Sequence, residues 1–270
     1  MELWVKVEPN VGIFVNDINP AGRKAILFIH GWPANHKMFE YQYDQYIKMG
    51  YRCIGVDTRG FGNSDKPLTG YDYNRLADDI YGVVQSLRLN DTTLVGHSTG
   101  GAIAIRYMSR HNGYGVSKLA LCASAAPSLI ARPNFPYGVK PEDIEKNFIQ
   151  AAYEDRPQML HDFGDIFFYK KVSRPFSDWF FGLGLQAASW STIAISESWI
   201  SEELFSDLPK VRVPTVIMHG IHDQVVPYQL GVAQNQGIRN SRLITFENSG
   251  HGLFYDELDK FNNELAQFVG

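Results

Sequence analysis

The chain has 270 residues, of which 44% are hydrophobic and 20% are charged, as in a folded globular protein and unlike a disordered or fibrous one. The formal net charge is −4 and the chain carries no basic run, which argues against nucleic acid as a partner. No stretch approaches the roughly 20 apolar residues of a membrane span, and no apolar signal-peptide core opens the chain, so we expect a soluble, cytoplasmic protein without a membrane partner. Cys53 and Cys122 lie in apolar runs, which predicts buried thiols and no disulfide framework.

Short β-rich runs alternate with helical patterns along most of the chain. The predicted strands cover residues 3–7, 12–15, 25–30, 52–56, 92–95, 118–123, 215–218 and 243–246. The predicted helices that accompany them cover residues 38–49, 73–89, 100–110, 228–236 and 257–268. Because strands alternate with helices, the sequence predicts an α/β fold with a doubly wound, mainly parallel sheet.

Residues 128–208 break this alternation. They hold 15 of the 36 aromatic residues, carry a formal charge of −5 and contain helical patterns at 142–154, 158–168, 177–186 and 190–199. We therefore predict a core made of residues 1–127 and 209–270, with a helical cap inserted at 128–208. An aromatic-rich cap would line a pocket, since pockets are mostly apolar and often form between domains. Its candidate substrate contacts are Trp179, Phe180 and Trp190, with packing in an enlarged hydrophobic core as the alternative.

Residues 96–100 read Gly-His-Ser-Thr-Gly and match the G-x-S-x-G pattern. A predicted strand ends just before this segment and a predicted helix begins just after it. Glycine at both ends lets the chain turn sharply, so Ser98 would be exposed above a helix N-terminus that favours developing negative charge. An ordinary glycine-rich turn is the alternative.

A serine hydroxyl is a poor nucleophile unless a base takes its proton, so the chain should supply a histidine and an acid at the same edge of the sheet. Asp223 follows the predicted strand 215–218, and His251, between two glycines, follows the predicted strand 243–246. The order Ser98, Asp223, His251 is that of the nucleophile, acid and base of G-x-S-x-G enzymes. Capping of the next helix is the alternative role of Asp223.

Five stretches resemble the α/β-hydrolases, and in particular their cofactor-free haloperoxidase, perhydrolase and esterase group. They are FIHGWPAN (28–35), GYRCIGVDTRGFGNSDKP (50–67), LVGHSTGGAIAIRY (94–107), PTVIMHGIHDQVVP (214–227) and NSGHGLF (248–254). The resemblance covers nearly the whole chain outside residues 128–208. It implies that the backbone N–H groups of Trp32 and Thr99 form the oxyanion hole, although many members carry a bulkier residue in place of Thr99.

The resemblance implies a serine hydrolase that cleaves small to medium, mostly apolar esters or lactones through an acyl-enzyme, with no cofactor and no metal. Serine at position 98 argues against haloalkane dehalogenase and epoxide hydrolase chemistry, which use a carboxylate nucleophile on this fold. The alternatives are peracid formation or haloperoxidase-type activity, C–C bond hydrolysis, or a small-molecule receptor with little turnover. In the resembled group, a proline at the place of Pro33 accompanies peracid formation from a carboxylic acid and hydrogen peroxide.

Other polar residues near these motifs have simpler interpretations. His219, His222 and Asp223 could be read as metal ligands, but His219 belongs to a predicted buried strand and Asp223 already has a role. His30 and His97 are expected to brace loops. Asp57 and Arg59 are expected to lock their glycine-rich turn by an ion pair.

Overall fold

The computed structural model describes all residues 1–270, and an eight-stranded sheet runs through its centre. The strands are β1 Glu2–Glu8, β2 Val11–Ile18, β3 Ala25–Ile29, β4 Arg52–Val56, β5 Thr92–His97, β6 Val116–Cys122, β7 Thr215–Gly220 and β8 Ser241–Phe246. Their spatial order is β1-β2-β4-β3-β5-β6-β7-β8. Only β1 with β2 and β2 with β4 pair in antiparallel fashion, and the other five pairings are parallel. The predicted α/β architecture is confirmed.

Helices follow or connect these strands. They are α1 Glu40–Lys48, α2 Tyr73–Ser86, α3 Thr99–Arg110, α4 Pro141–Ile144, α5 Ala151–Phe167, α6 Arg174–Leu185, α7 Ser189–Ser201, α8 Tyr228–Gly237, α9 Leu253–Asp256 and α10 Leu258–Val269. A 3₁₀ turn at His36–Phe39 precedes α1, and a π-helical turn at Glu145–Gln150 joins α4 to α5. None of these helices has the length and hydrophobicity that a membrane span requires.

The segment between β6 and β7 contributes four helices and no strand to the sheet, in line with the pattern of residues 128–208. Its longest helix, α5, is kinked at Asp155, where the backbone leaves helical geometry. Pro157 cannot donate a backbone hydrogen bond, and the Asp155 carboxylate caps the restarted helix by accepting from Gln158 N at 3.0 Å. The expected break between residues 154 and 158 therefore lies at this kink.

One continuous core joins the sheet to the helical segment. Ile29 and Val95 of the sheet belong to the same buried cluster as Phe163 and Trp199 of the segment. Cys53 and Cys122 are buried free thiols, as predicted, and burial raises the pKa of Cys53 to about 12. The helical segment is thus packed against the rest of the molecule through apolar side chains.

The expected ion pair between Asp57 and Arg59 is wrong. Asp57 points toward His36, accepting from its backbone N at 2.8 Å and lying 2.7 Å from its Nδ1. Arg59 points the other way and binds Asp79 through two nitrogens, at 2.5 and 2.8 Å. The two side chains diverge because each finds a buried partner on a different element, and both contacts hold the turn after β4.

Candidate active site

Ser98 occupies the sharp turn between β5 and α3. Its backbone angles, φ 54° and ψ −122°, are unusual for a residue with a Cβ and cost about 1–3 kcal/mol. Hydrogen bonds hold the turn in this shape: Ser98 N donates to Cys122 O at 2.9 Å, and Ser98 O accepts from Ala125 N at 3.0 Å. The backbone of Ser98 therefore has a fixed position at the carboxyl edge of the sheet.

The glycines of the motif allow backbone segments to approach closely. A Cβ at Gly96 would lie 2.5 Å from Gly100 O, and a Cβ at Gly100 would lie 2.4 Å from Ile29 O. Any side chain at either position would push α3 away from β3 and β5. The close approach brings the loop after β3 against the turn, so that a Cβ at Gly31 would lie 2.9 Å from Ser98 Cβ.

His251 and Asp223 form a buried pair on the loops after β8 and β7. His251 Nδ1 lies 2.8 Å from Asp223 Oδ2, and both side chains are fully buried. The other oxygen, Asp223 Oδ1, accepts from the backbone N–H groups of Val225 and Val226, both at 2.8 Å. These bonds leave the carboxylate no freedom to turn away from the imidazole.

The surroundings keep Asp223 ionised. Burial alone would raise the pKa of Asp223, but the positive charge that His251 can carry and hydrogen bonds from His219 and His251 hold it far below its usual value. His219 Nε2 donates to Val226 O at 2.9 Å and lies 3.3 Å from Asp223 Oδ2. Of the histidines considered as metal ligands, His219 thus braces the acid loop, while the ring of His222 stacks on Tyr169 with centroids 4.0 Å apart.

His251 Nε2 is buried and has no hydrogen-bond partner in the chain. Ser98 and His251 are not hydrogen-bonded to each other in this structure, although such contacts are often long before substrate binds. His97, next to Ser98 in sequence, links the two loops, because its Nε2 donates to His251 O at 2.9 Å and its ring lies 4.7 Å from the His251 ring. Burial and the neighbouring His251 hold the pKa of His97 well below its usual value, so it stays neutral. His30 Nε2 accepts a hydrogen bond from Thr58 N at 3.0 Å. His30 and His97 therefore both brace loops, as expected.

The backbone N–H groups of Trp32 and Thr99 donate no hydrogen bond within the chain. The side chains of both residues are tied to α7. Trp32 Nε1 donates to Thr192 O at 3.1 Å, and Trp199 Nε1 donates to Thr99 Oγ1 at 3.0 Å. Both N–H groups are therefore free to bind another acceptor, and α7 holds both residues.

Ser98 lies in the wall of a cavity of about 360 Å³. Its polar lining residues are Ser98, Asp143, Asn147 and Gln224. Its ten apolar lining residues are Trp32, Leu129, Val139, Ile144, Phe148, Phe163, Ile166, Trp199, Val225 and Val226. The cavity is thus mostly apolar, with one potential negative charge, Asp143.

None of the three proposed substrate contacts, Trp179, Phe180 and Trp190, lines this cavity. Trp179 packs on Phe176 at 5.1 Å, and Phe180 packs on Phe167 at 4.5 Å. Trp190 is 42% exposed, and its indole N–H donates to Pro67 O. The aromatic rings of these residues pack against other parts of the fold, and their contact with substrate stays a prediction.

Several site residues were missed, among them Phe148, Asp143 and Trp199. One available signal was helical phase: Trp190 and Trp199 are nine residues apart, which places them on opposite faces of one helix. Only one of the two could face the core. For Phe148 and Asp143 no such signal exists, because their position depends on the π-helical turn and on the packing of α4.

A model of the alpha/beta hydrolase fold matches residues 24–258. The chain is 46% identical to the AB hydrolase superfamily protein YisY of Bacillus subtilis, over 98% of each chain. It is 30% identical to a bifunctional esterase/perhydrolase of Acinetobacter calcoaceticus, over 98% of this chain and 99% of that protein. An esterase from Exiguobacterium antarcticum has a solved structure that superimposes with a TM-score of 0.96 at 43% identity, covering 100% of this chain and 99% of the other. The resemblance to the haloperoxidase, perhydrolase and esterase group is confirmed.

Proposed function

The chain belongs to the α/β-hydrolase family, and we propose that it is a serine hydrolase that cleaves carboxylic esters or lactones through an acyl-enzyme. In this proposal Ser98 is the nucleophile, His251 the general base and Asp223 the acid that orients it. Residues 128–208 form a cap that shapes the substrate cavity. The substrates are small to medium, mostly apolar esters, in keeping with a cavity of about 360 Å³ and ten apolar lining residues.

The reaction proceeds in two halves. Ser98 Oγ attacks the ester carbonyl carbon while His251 Nε2 takes its proton, and the negative oxygen is stabilised by the N–H groups of Trp32 and Thr99. His251 then protonates the leaving alcohol, which gives the acyl-enzyme. In the second half water attacks the acyl carbon while His251 takes its proton, and His251 then returns a proton to Ser98 Oγ as the acyl–oxygen bond breaks and the carboxylic acid leaves.

One observation carries this proposal: the buried His251 ring donates through Nδ1 to Asp223 at 2.8 Å, while its Nε2 has no partner. With the proton fixed on Nδ1, the lone pair lies on Nε2, the atom that must accept the Ser98 proton. The buried His97 and His219 also have an unpaired Nδ1, but of the three only His251 lies within 2.8 Å of a carboxylate.

The direct test is multiple turnover of p-nitrophenyl butyrate by the wild type and by Ser98→Ala. The matched control is Ser201→Ala, because Ser201 is exposed on α7 and does not line the cavity. We expect many turnovers for the wild type and the control, and loss of turnover for Ser98→Ala. Release of only one p-nitrophenol per chain would instead favour a receptor, and unchanged turnover in Ser98→Ala would contradict the proposed nucleophile.

The proposed base also predicts the pH dependence. Only a neutral imidazole accepts the serine proton, so kcat/KM should rise from acid pH as the base loses its proton and then level off. A kcat/KM that stays flat from pH 5 to 8 with chemistry limiting would remove His251 from this role.

A second candidate function is perhydrolysis, in which hydrogen peroxide replaces water in the second half and a peracid is released. It is favoured by the similarity to the Acinetobacter esterase/perhydrolase and by Pro33, which follows Trp32 in the proposed oxyanion loop. Ala34 N donates to Gly31 O at 3.0 Å and closes this loop, and the Pro33 ring packs beneath Gly184 of α6. A proline restricts both its own φ and the residue before it, so the Trp32 carbonyl is held in one orientation, where it could accept a hydrogen bond from peroxide.

The test compares peracid formation with hydrolysis of the same acyl group in the wild type and in Pro33→Leu. One hydrogen bond of about 1 kcal/mol to peroxide would change the partition of the acyl-enzyme between peroxide and water about fivefold. We expect the ratio of perhydrolysis to hydrolysis to fall in Pro33→Leu and both activities to vanish in Ser98→Ala. An unchanged ratio would leave Pro33 with a structural role only.

A further inference from the structure

Two neighbouring cavities meet at one layer of side chains. The Ser98 cavity of about 360 Å³ and an outer cleft of about 580 Å³ share Asn147, Phe148, Phe163 and Ile166 in their walls. The outer cleft is formed by the π-helical turn and α5, and its other walls include exposed residues such as Lys146, Glu154 and Asp162. The cleft therefore opens to solvent on one side and abuts the proposed active site on the other.

Phe148 is the central side chain of this layer. Its ring lies 5.5 Å from Trp32, 5.8 Å from Trp199 and 6.0 Å from Phe163, with near-perpendicular planes in each pair. Trp32, Trp199 and Phe163 are themselves buried, whereas Phe148 is only half-buried. The Phe148 ring thus completes an aromatic wall of the inner cavity and turns its other face to the cleft.

The backbone that carries Phe148 is irregular. Phe148 lies in the π-helical turn Glu145–Gln150, and α5 is kinked a few residues later at Asp155. π-helical turns are rare and occur often at functional sites, because the extra residue re-aims the side chains around it. Here the turn directs Phe148 inward, between solvent-exposed Lys146 and Gln150.

The outer cleft offers apolar surface along part of its walls and disfavours a carboxylate. Its walls include five hydrophobic residues, and its rim carries Glu154, Asp155 and Asp162 against a single base, Lys146. The side-chain amide of Gln150 donates to the Glu154 carboxylate at 2.9 Å, and that of Gln158 donates to the Asp162 carboxylate at 2.7 Å. These bonds keep both acids along the helix surface. Extra CH₂ groups would find apolar surface in the cleft, and an anionic end would meet like charge.

We propose that Phe148 is a specificity-determining residue that closes the Ser98 cavity toward the outer cleft and thereby limits the length of the ester chain. This inference rests on the proposed esterase function. The wild-type substrates are then neutral esters whose chains fit the inner cavity, and longer chains are rejected because they would have to displace the Phe148 ring. Removing the ring would join the two cavities and admit longer chains.

The experiment measures kcat/KM in two series, p-nitrophenyl acyl esters from acetate to laurate and 1-alkyl acetates from ethyl to dodecyl, because either chain of the ester can face Phe148. For the wild type, we expect kcat/KM to decline once the varied chain of the ester is longer than about four to six carbons. In Phe148→Ala, the octyl-to-butyl ratio should rise at least tenfold in one of the two series, since each newly buried CH₂ contributes about fourfold. Phe148→Val should give a smaller rise in the same series. The matched control is Tyr153→Ala on α5, where the side chain is 74% exposed and lines neither cavity.

The outcomes separate the two proposals. Hydrolysis that persists in Ser98→Ala would contradict the proposed function. Ser98-dependent hydrolysis with the same octyl-to-butyl ratio in the wild type, Phe148→Ala and Phe148→Val would overturn the role of Phe148 alone. A wild type that already prefers octyl over butyl chains would also overturn it. Thermal unfolding of each variant shows whether it is folded. If Phe148→Ala does not fold, the octyl-to-butyl ratio of Phe148→Val decides the test.

Discussion

The loops at the carboxyl edge of the sheet and the helical segment that covers them contact the same cavity by different means. At the sheet edge, backbone hydrogen bonds hold the turn of Ser98 and the Asp223 carboxylate, and that carboxylate holds the His251 ring. The helical segment contributes mainly apolar side chains, including the rings of Phe148, Phe163 and Trp199. The sheet edge is therefore suited to hold reacting atoms in place, and the helical segment to select the substrate by shape.

The two regions are coupled at a few polar contacts. Trp199 of α7 donates to Thr99, and the end of α5 reaches the histidine loop, where Gly252 N donates to Phe167 O at 2.9 Å. Phe167 also packs edge-on against the His251 ring, with centroids 4.9 Å apart. If shape selection were the only task of the helical segment, substitutions in it would change substrate preference and leave kcat for a small ester unchanged.

The largest expected effect lies at the sheet edge. Ser98→Ala and His251→Ala should each lower kcat by about 10⁴–10⁶, and the double variant should be little slower than either single one, because the members of a triad act as a unit. The measurement is kcat for p-nitrophenyl butyrate, with thermal unfolding to show that each variant is folded. Losses that multiply in the double variant would mean that the two residues act in separate steps.

A second prediction concerns stability at the sheet edge and its pH dependence. Burial acts to raise the pKa of Asp57, but the hydrogen bond and charge of His36 outweigh it and lower the pKa below its usual value. A lowered pKa stabilises the folded state above the pKa of an unperturbed aspartate, about 3.9, and this contribution is lost as pH falls through the folded-state value. Asp57→Asn should therefore lower the free energy of unfolding by about 2–4 kcal/mol at pH 7.

Urea unfolding of the wild type and Asp57→Asn between pH 3 and 7 provides the measurement. The difference in the free energy of unfolding should shrink below about pH 4. Glu142→Gln, an exposed carboxylate outside the cavity, serves as the control and should show no difference. A difference that is constant over this pH range would mean that the charge of Asp57 does not contribute.

The third prediction tests the coupling between the regions. Trp199→Phe removes the hydrogen bond to Thr99 Oγ1 while keeping an aromatic ring, and should lower kcat about fivefold with little change in KM, because one such bond contributes about 1 kcal/mol. Trp190→Phe, on the opposite face of the same helix, is the matched control and should leave kcat unchanged. If kcat is equal in both variants, α7 contributes only an apolar wall.

The smallest expected effect concerns charge in the cavity. Asp143 is the only ionisable residue that lines the Ser98 cavity, so a neutral ester should be preferred to its carboxylated analogue. Asp143→Asn should raise kcat/KM for the carboxylated ester about threefold at low salt and leave the neutral ester unchanged, since an exposed charge contributes up to about 1 kcal/mol. Equal kcat/KM values for both esters in the wild type would show that the cavity does not select by charge.

Much of the sheet and its edge could be predicted from sequence because both depend on local rules. The strands β5, β7 and β8 are short β-rich runs, and the glycine-rich segments that carry Ser98, Asp223 and His251 mark their ends. Parallel strands place their carboxyl ends at one edge, so residues far apart in sequence were expected to lie together. Strand ends were less predictable: β2 runs to Ile18, past its predicted end, because Arg52 pairs with buried Asp17 at 2.7 and 2.9 Å.

The α/β fold class, a helical segment at residues 128–208 and the turn at Ser98 are all predictable from local patterns, because periodicity and glycine spacing act over a few residues. Which aromatic rings face the cavity is not predictable in this way. Phe148 and Trp199 face it, while Trp179, Phe180 and Trp190 do not. Aromatic residues are equally apolar wherever they pack, so composition identifies the region that can line a pocket but not its members. That choice depends on helix rotation, the π-helical turn and the kink at Asp155, which arise from packing between elements distant in the chain.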